Sequence, residues 1–427
     1  MDFFIAQYPQ FVAQKASDIL TPLQENAFEQ LKQLSLPTTK HEEWKYTNLR
    51  QLAQMDFQAA TAAIAAPTLP EGLALPANSS VLVFVNGVFQ ADFSDIKPQA
   101  GLKVHSWAEA LQAQPELLQK HFGKIAQDTS SNYFNALNTA YAHEGTVLHV
   151  EKNKVIEAPV FIYYLGDTSQ NFNAQHRNLW ILEENSQANV IELYQSSGEG
   201  KGFFNQVSEI SLATAARLDY YKIQNENAGE LYHINLTEVQ LHDKSYFAAN
   251  TLSFAGRLVR NNLHVRIAGQ YCEAFLNGLT LLDGQSHTDH HTLVDHQQPN
   301  SYSNELYKGI FDGKATGVFN GKIYVQQDAQ KTNAFQQNRN ILLSKEAGIY
   351  TKPQLEIWAD DVRCSHGATT GQLDEEALFY LRARGISLDS ARALLMQAFA
   401  GEVLERISPD FLREWLEGYI AQRLLRA

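Results

Sequence analysis

Apolar positions change their spacing along the chain, and the change divides it into three parts. In the first 55 residues they fall at helical intervals: Phe3, Phe4, Tyr8, Phe11 and Val12 share a face, followed by Ile19, Leu20, Leu23, Phe28, Leu31 and Leu34. Pro9, Pro22 and Pro37 punctuate these helices. Residues 59–76 are Ala- and Pro-rich with little charge, which predicts a linker or irregular connection. Residues 81–85, then Asn86-Gly87 and Val88-Phe89, predict a hairpin, because Asn-Gly accepts the positive φ angles of a tight turn. Helical stretches at 107–122 and 133–141 complete an N-terminal α+β region, residues 1–145.

From Thr146 the pattern turns to strands and a recurrence sets in. Leu182, Leu212, Leu241, Ile267, Val294 and Val325 each end an apolar run just before a short polar turn, at spacings of 30, 29, 26, 27 and 31. A near-constant period without intervening helices predicts a solenoid whose coils bury their apolar faces by stacking. We read residues 146–372 as a parallel β-helix; an antiparallel barrel or sandwich would also give strands every 8 to 12 residues. Residues 373–427 return to helical spacing. Asp374 caps a helix that stops at Gly385, a second follows Ser387 with Leu394, Leu395, Ala398, Phe399, Val403 and Ile407 as its apolar side, and Ser408-Pro409 caps and starts a third. Trp415 and Tyr419 on the third are core or a docking face.

Composition narrows the function. A net charge of -13 and the lack of a basic stripe argue against nucleic acid. Residues 309–315 are too short between their glycines for a phosphate loop and lack its Ser or Thr, so any ATP dependence belongs to another subunit. No apolar run of 18 residues and no signal-peptide pattern occur, which predicts a soluble, cytoplasmic protein with no membrane partner. Two cysteines, Cys272 and Cys364, exclude a disulfide framework. They are also too few for an iron–sulfur cluster, which takes about four ligands, mostly thiolates.

Candidate chemistry concentrates in residues 352–371. On an extended backbone Cys364 and His366 point to the same face and could share one metal, with Gly367 and Gly371 allowing a turn or a close approach beyond them. His287, Asp289 and His291 would share a strand face and have the ligand types for zinc or iron, or serve as polar surface filler; the role of the group from His287 to His296 stays open. Cys272 reads as a buried, inert thiol, and the Asn and Gln residues from 326 to 340 as coil-corner residues bonding neighbouring backbone. A β-helical carbohydrate-active enzyme using Asp360 and Asp361 is the alternative, disfavoured because adjacent carboxylates point to opposite faces of a strand.

The strings Pro353-Gln354-Leu355-Glu356-Ile357, Ala359-Asp360-Asp361-Val362, Cys364-Ser365-His366-Gly367-Ala368-Thr369 and Leu378-Phe379-Tyr380-Leu381-Arg382-Ala383-Arg384-Gly385-Ile386 occur in one order. Together they closely resemble the SufB/SufD family of iron–sulfur cluster assembly scaffolds. Leu36-Pro37 and the run from Lys40 to Leu49, Lys-His-Glu-Glu-Trp-Lys-Tyr-Thr-Asn-Leu, are similar to the opening signature of its SufD branch. The resemblance covers nearly the whole chain, more weakly through residues 50–280. It implies a mainly β fold with a right-handed parallel β-helix core between an N-terminal α+β region and a C-terminal helical domain. It further implies a non-enzymatic scaffold that pairs with a SufB-like homologue through the end of the β-helix and receives a SufC-like ATPase on the C-terminal helices. A homodimer is allowed when the chain is alone. A transient iron–sulfur cluster or iron, shared with the partner, would then be held by His366 and Cys364, and this chain would bind no nucleotide.

Overall fold

The computed structural model describes residues 2–14, 18–55, 58–59, 68–169, 171–227 and 229–425. From Thr146–Val150 to Arg363–Gly371, successive strands alternate between two sheets, and each pairs in parallel with the strand two places on. Such pairing makes a parallel β-helix, as the recurrence predicts, and it excludes the antiparallel alternatives. Leu182, Leu212, Leu241 and Ile267 lie side by side in register, as a stack of coils requires. Past Ile267 the column continues through His296 and Val325 to Ile357. Val294 is therefore displaced from it by two residues, and the apparent spacings of 27 and 31 become 29 and 29. His296 escapes a search for apolar strand ends because it is polar, although it is wholly buried and pairs with Ser303 Oγ at 2.9 Å.

The polar turns after these strands are coil corners. A residue with positive φ recurs at Asn153, Asn185, Ala215, Lys244, Tyr271, Asn300 and Lys331, and at Asn185, Ala215 and Lys244 its N–H donates to a carbonyl of the next corner. The predicted hairpin forms at Ser80–Val85 and Val88–Phe89, with Asn86 at φ 49° and Gly87 at φ 91°. Its first strand pairs in parallel with Val160–Asp167, and Leu102–Ser106 pairs antiparallel with Thr146–Val150, so both sheets start within the N-terminal region.

Helices cover both outer faces. Asp2–Gln14, Thr21–Leu31 and Tyr133–Ala140 bury Phe4, Tyr8, Leu31, Phe134 and Leu137 against Phe203, Tyr232 and Ile234 of one sheet. Pro9 does not break the first helix, because Tyr8 stacks on Phe28 at 3.6 Å and tertiary packing outweighs the lost backbone bond. Beneath them Arg177 and Glu209, both fully buried, form an ion pair at 2.6 Å, and Glu209 also accepts the N–H groups of Gly123, Ile125 and Ala126. The predicted linker at 59–76 falls in part outside the described residues, at 60–67.

On the other sheet lie Leu388–Leu404 and Asp410–Leu424. The first buries Ala393, Met396, Ala400, Val403 and Leu404, while Leu394 is 45% exposed, so its packed side is rotated from the predicted one. Asp410–Leu424 carries no side-chain cap; the Ser408 hydroxyl bonds Tyr221 instead. Trp415 and Tyr419 pack inward, Tyr419 against Phe254 and Trp415 donating to the Glu71 carbonyl at 3.0 Å. Both are half-buried at the edge of this core, each keeping part of its surface open. Glu375–Ala383, capped by Asp374, buries no residue and exposes Phe379 (75%) and Tyr380 (56%). Among the described residues no helix is long and apolar enough to cross a membrane.

Candidate functional site at the end of the solenoid

Gly348–Ile357 and Arg363–Gly371 are the last strands of their sheets. Each is paired on one side only, to Thr316–Val325 and Asn333–Leu342 respectively, and offers its other edge of N–H and C=O groups. Cys364 and His366 stand two apart on this last strand, opposite Ala334 and Gln336 in register. Cys364 faces inward, half-buried against an apolar group that includes Ala334, Val362 and Ala359. Burial raises its thiol, with the Ala334 backbone offsetting part of the rise, so the sulfur is protonated at neutral pH. His366 is exposed. A Cβ added at Gly367 or Gly371 would meet nothing within 4 Å, and neither residue has positive φ. The chain's own fold therefore demands no glycine there. Trp358 (67% exposed) begins the turn between the edge strands, and Asp360 and Asp361 sit exposed on it.

The histidine group has a different setting. His287, Asp289 and His291 do share the outer face of their strand, but the N-terminal signature segment sits on top of them. Thr47 Oγ1 donates to Asp289 Oδ2 at 2.5 Å and pairs with His287 Nε2 at 2.9 Å. Arg260 Nη1 reaches Asp289 at 2.8 Å and the Glu43 carbonyl at 2.6 Å, and its guanidinium lies 3.8 Å from the Trp44 ring centroid. His291 bridges Asp289 (3.0 Å) and Glu43 (3.3 Å). Lys352 pairs with Glu42 at 2.7 Å, and Tyr46 stacks on Tyr350 at 4.1 Å. Residues 42–47 thus cross four coils and end on an edge strand, forming a brace. Burial pushes the Asp289 carboxyl up, but Arg260 and His291 outweigh it and hold the group well below the usual carboxylate range. Burial lowers His287 and His290, which favours neutral rings.

Among the described residues no three of His, Cys, Asp and Glu come together as a metal site. Cys364 and His366 bring two donor types to alternate positions of one strand. Cys272 is buried in the interior, where its Sγ donates to the His242 carbonyl at 3.1 Å. Sequence reasoning passes over Glu305 and takes Gln336, among the Asn and Gln residues from 326 to 340, for a coil-corner residue, whereas Gln336 lies within the strand Asn333–Leu342. Glu305 and Gln336 lie one above the other on inward positions leading to His366, where a polar residue on a strand reads as an outward one.

The chain matches the family described as SUF system FeS cluster assembly, SufBD core domain, over residues 164–399, and the SufBD protein N-terminal region over residues 1–162. It is 34% identical over 401 residues to an iron–sulfur cluster assembly SufBD family protein of Synechocystis sp., covering 91% of this chain and 88% of that protein. It is 32% identical over 407 residues to the iron–sulfur cluster assembly protein SufD of Escherichia coli, covering 95% and 93%. The SufD of Bacillus subtilis is 25% identical over 312 residues, covering 72% and 71%. With both of its parts matched in order, and with nearly full-length relatives above 30% identity, the chain belongs to the SufBD family of iron–sulfur cluster assembly proteins.

Proposed function

We propose that this chain is a scaffold subunit with no catalytic step of its own, and that it presents His366 and Cys364 at a junction with a SufB-like partner, where iron or a nascent cluster is held as cargo. Family membership supports a role in the SUF system. The observation that carries the finer reading is that both donors stand on the terminal strand, paired on one side only, beside two glycines with open space above them. A partner's terminal coil can satisfy the free edges of both sheets, and its backbone can come close where glycine leaves room. The imidazole then offers a lone pair, while Cys364 loses its proton on binding iron, as thiol ligands do. Ligands beyond these two come from the partner. A SufC-like ATPase would dock on the C-terminal helices, with Phe379 and Tyr380 as the exposed apolar contact.

His366→Ala removes an exposed donor and no core volume. We expect it to leave complex assembly and the melting temperature unchanged but to block iron–sulfur enzyme maturation when it replaces the native gene. Full rescue by this variant in an assembled complex would end the ligand reading.

A further inference from the structure

A column of inward-facing residues runs beneath His366. Parallel register places Leu276, Glu305, Gln336 and His366 at successive levels of one sheet, about 4.8 Å apart. The facing sheet presents Thr292, then Gly321, then Pro353. Glu305 is fully buried, and its Oε2 accepts from Thr292 Oγ1 at 2.6 Å. Its Oε1 has no hydrogen-bond partner. Gln336 is 1% exposed, and neither its amide nitrogen nor its amide oxygen has one either. The amide lies beside the Glu305 carboxyl without reaching hydrogen-bonding geometry. On its other side stand the Gly321 backbone and the apolar Phe319 ring, since a Cβ at Gly321 would stand 2.4 Å from Gln336 Nε2 and 2.6 Å from Phe319 Cζ.

Three buried polar atoms left open in one place call for an occupant or a partner, because each costs about 1 to 3 kcal/mol when unsatisfied. Leu276 closes the column below, and Thr292 already serves the other carboxylate oxygen. The direction that remains leads up to His366. We propose that Gln336 is a positioning residue for His366: its carbonyl accepts one imidazole N–H while its NH₂ donates down to the Glu305 carboxylate, so the other ring nitrogen presents a lone pair out of the open coil.

The direction of the amide decides the outcome. Turned over, its NH₂ would occupy the inner ring nitrogen, and the outer one would carry hydrogen and could not ligate iron. A carboxylate only accepts hydrogen bonds, so Glu305 in that form keeps the NH₂ facing it. A protonated carboxyl would donate to the amide carbonyl and favour the reverse. Burial raises Glu305 to about 7, with Thr292 and Gln336 limiting the rise, so both forms lie within reach near neutral pH. Tyr307 is the other titratable group that senses this carboxyl.

The inference deepens the reading of His366 as a ligand, and it is tested without iron. In the full-length chain labelled with ¹⁵N-histidine, long-range proton–nitrogen spectra report the tautomer of each ring, and loss of one signal set in His366→Gln assigns the residue. The native chain should show one dominant His366 tautomer. Gln336→Leu keeps the side-chain bulk and removes the amide; Glu305→Gln keeps the shape and removes the obligate acceptor. Loss of the single tautomer in either folded variant supports the proposal. A mixed population in the native chain, or the same single tautomer in both variants, overturns it. Rescue of cells by His366→Ala would instead sink the ligand reading while leaving the tautomer result standing.

Discussion

Asp289→Ala tests the brace directly. The carboxylate is fully buried and meets three partners: Thr47 Oγ1 at 2.5 Å, Arg260 Nη1 at 2.8 Å and His291 Nε2 at 3.0 Å. Arg260 is only 3% exposed, and after the substitution it keeps the Glu43 carbonyl, Asn262 and the Trp44 ring but no buried counter-charge. Breaking a buried pair by removing one partner costs about 3 to 5 kcal/mol. That is a large share of the roughly 5 to 15 kcal/mol typical of a folded domain. Urea unfolding should show the loss. Hydrogen exchange should show faster exchange in residues 42–47 and in the edge strand Gly348–Ile357, with strands near Gln187–Ser197 unaffected. The sign with pH follows from the depressed carboxyl: its contribution is complete above the unfolded value of about 3.9 and is lost as pH falls through the lower folded value. Acid should therefore narrow the gap between native and variant chains. A loss below about 1 kcal/mol with unchanged exchange would reduce the network to surface filler. Zinc binding by the native chain at one equivalent, abolished in the variant, would replace the brace with a metal site.

Two further outcomes are expected. Cys272→Ala should cost about 1 kcal/mol in urea unfolding and keep cluster assembly in cells, because the thiol is 1% exposed and bonds only within its own coils; loss of assembly with the fold intact would make it a functional thiol. Phe379→Ser combined with Tyr380→Ser should leave the melting temperature nearly unchanged and sharply weaken co-purification of the ATPase, since both rings are mostly exposed and Tyr380 meets only the Arg384 guanidinium as a ring contact; undiminished capture would move the dock elsewhere. Deleting the C-terminal helices is a poorer test, because Leu388–Leu404 and Asp410–Leu424 cover the outer face of a sheet at Tyr221, Phe254, Leu281 and Ile310.

The sequence carries the solenoid where its columns are apolar and loses it where they are not. Leu182, Leu212, Leu241 and Ile267 mark true register; His296 breaks the apolar signal, and the pattern slips to Val294. Cys364 and His366 are legible as a pair because two-residue spacing on a strand is local geometry. That they stand on the last, one-sided strand depends on the order of coils, which follows once the period is known. The brace is illegible for another reason: Thr47 meets Asp289 across 242 residues, and nothing local in either segment names the other. Glu305 and Gln336 fail through the pleat, since a polar residue at every second strand position looks outward whichever face it lies on. The packed side of Leu388–Leu404 is misjudged because its buried face is built largely from alanines, which carry little apolar signal beside Leu394.

Interior coils have a neighbour on each side, so their backbone groups are used within the chain. The C-terminal coil leaves one edge of each sheet unpaired, and it carries the exposed imidazole, the half-buried thiol, glycines without contacts and the large exposed ring of Trp358. The brace adds rigidity at that same end by tying the edge strand through Lys352 and Tyr350 to residues 42–46. A coil with unused hydrogen bonds at the end of a stack would ordinarily fray, since nothing holds its outer side. Here it is pinned laterally while its open edge is left free. A site that must be completed by a second chain requires that combination: the donors have to hold their positions before the partner arrives, and the edge cannot be closed by the chain itself. If His366 and Cys364 are half of such a site, as proposed above, its chemistry would appear only on assembly, and its function has to be measured in the assembled complex.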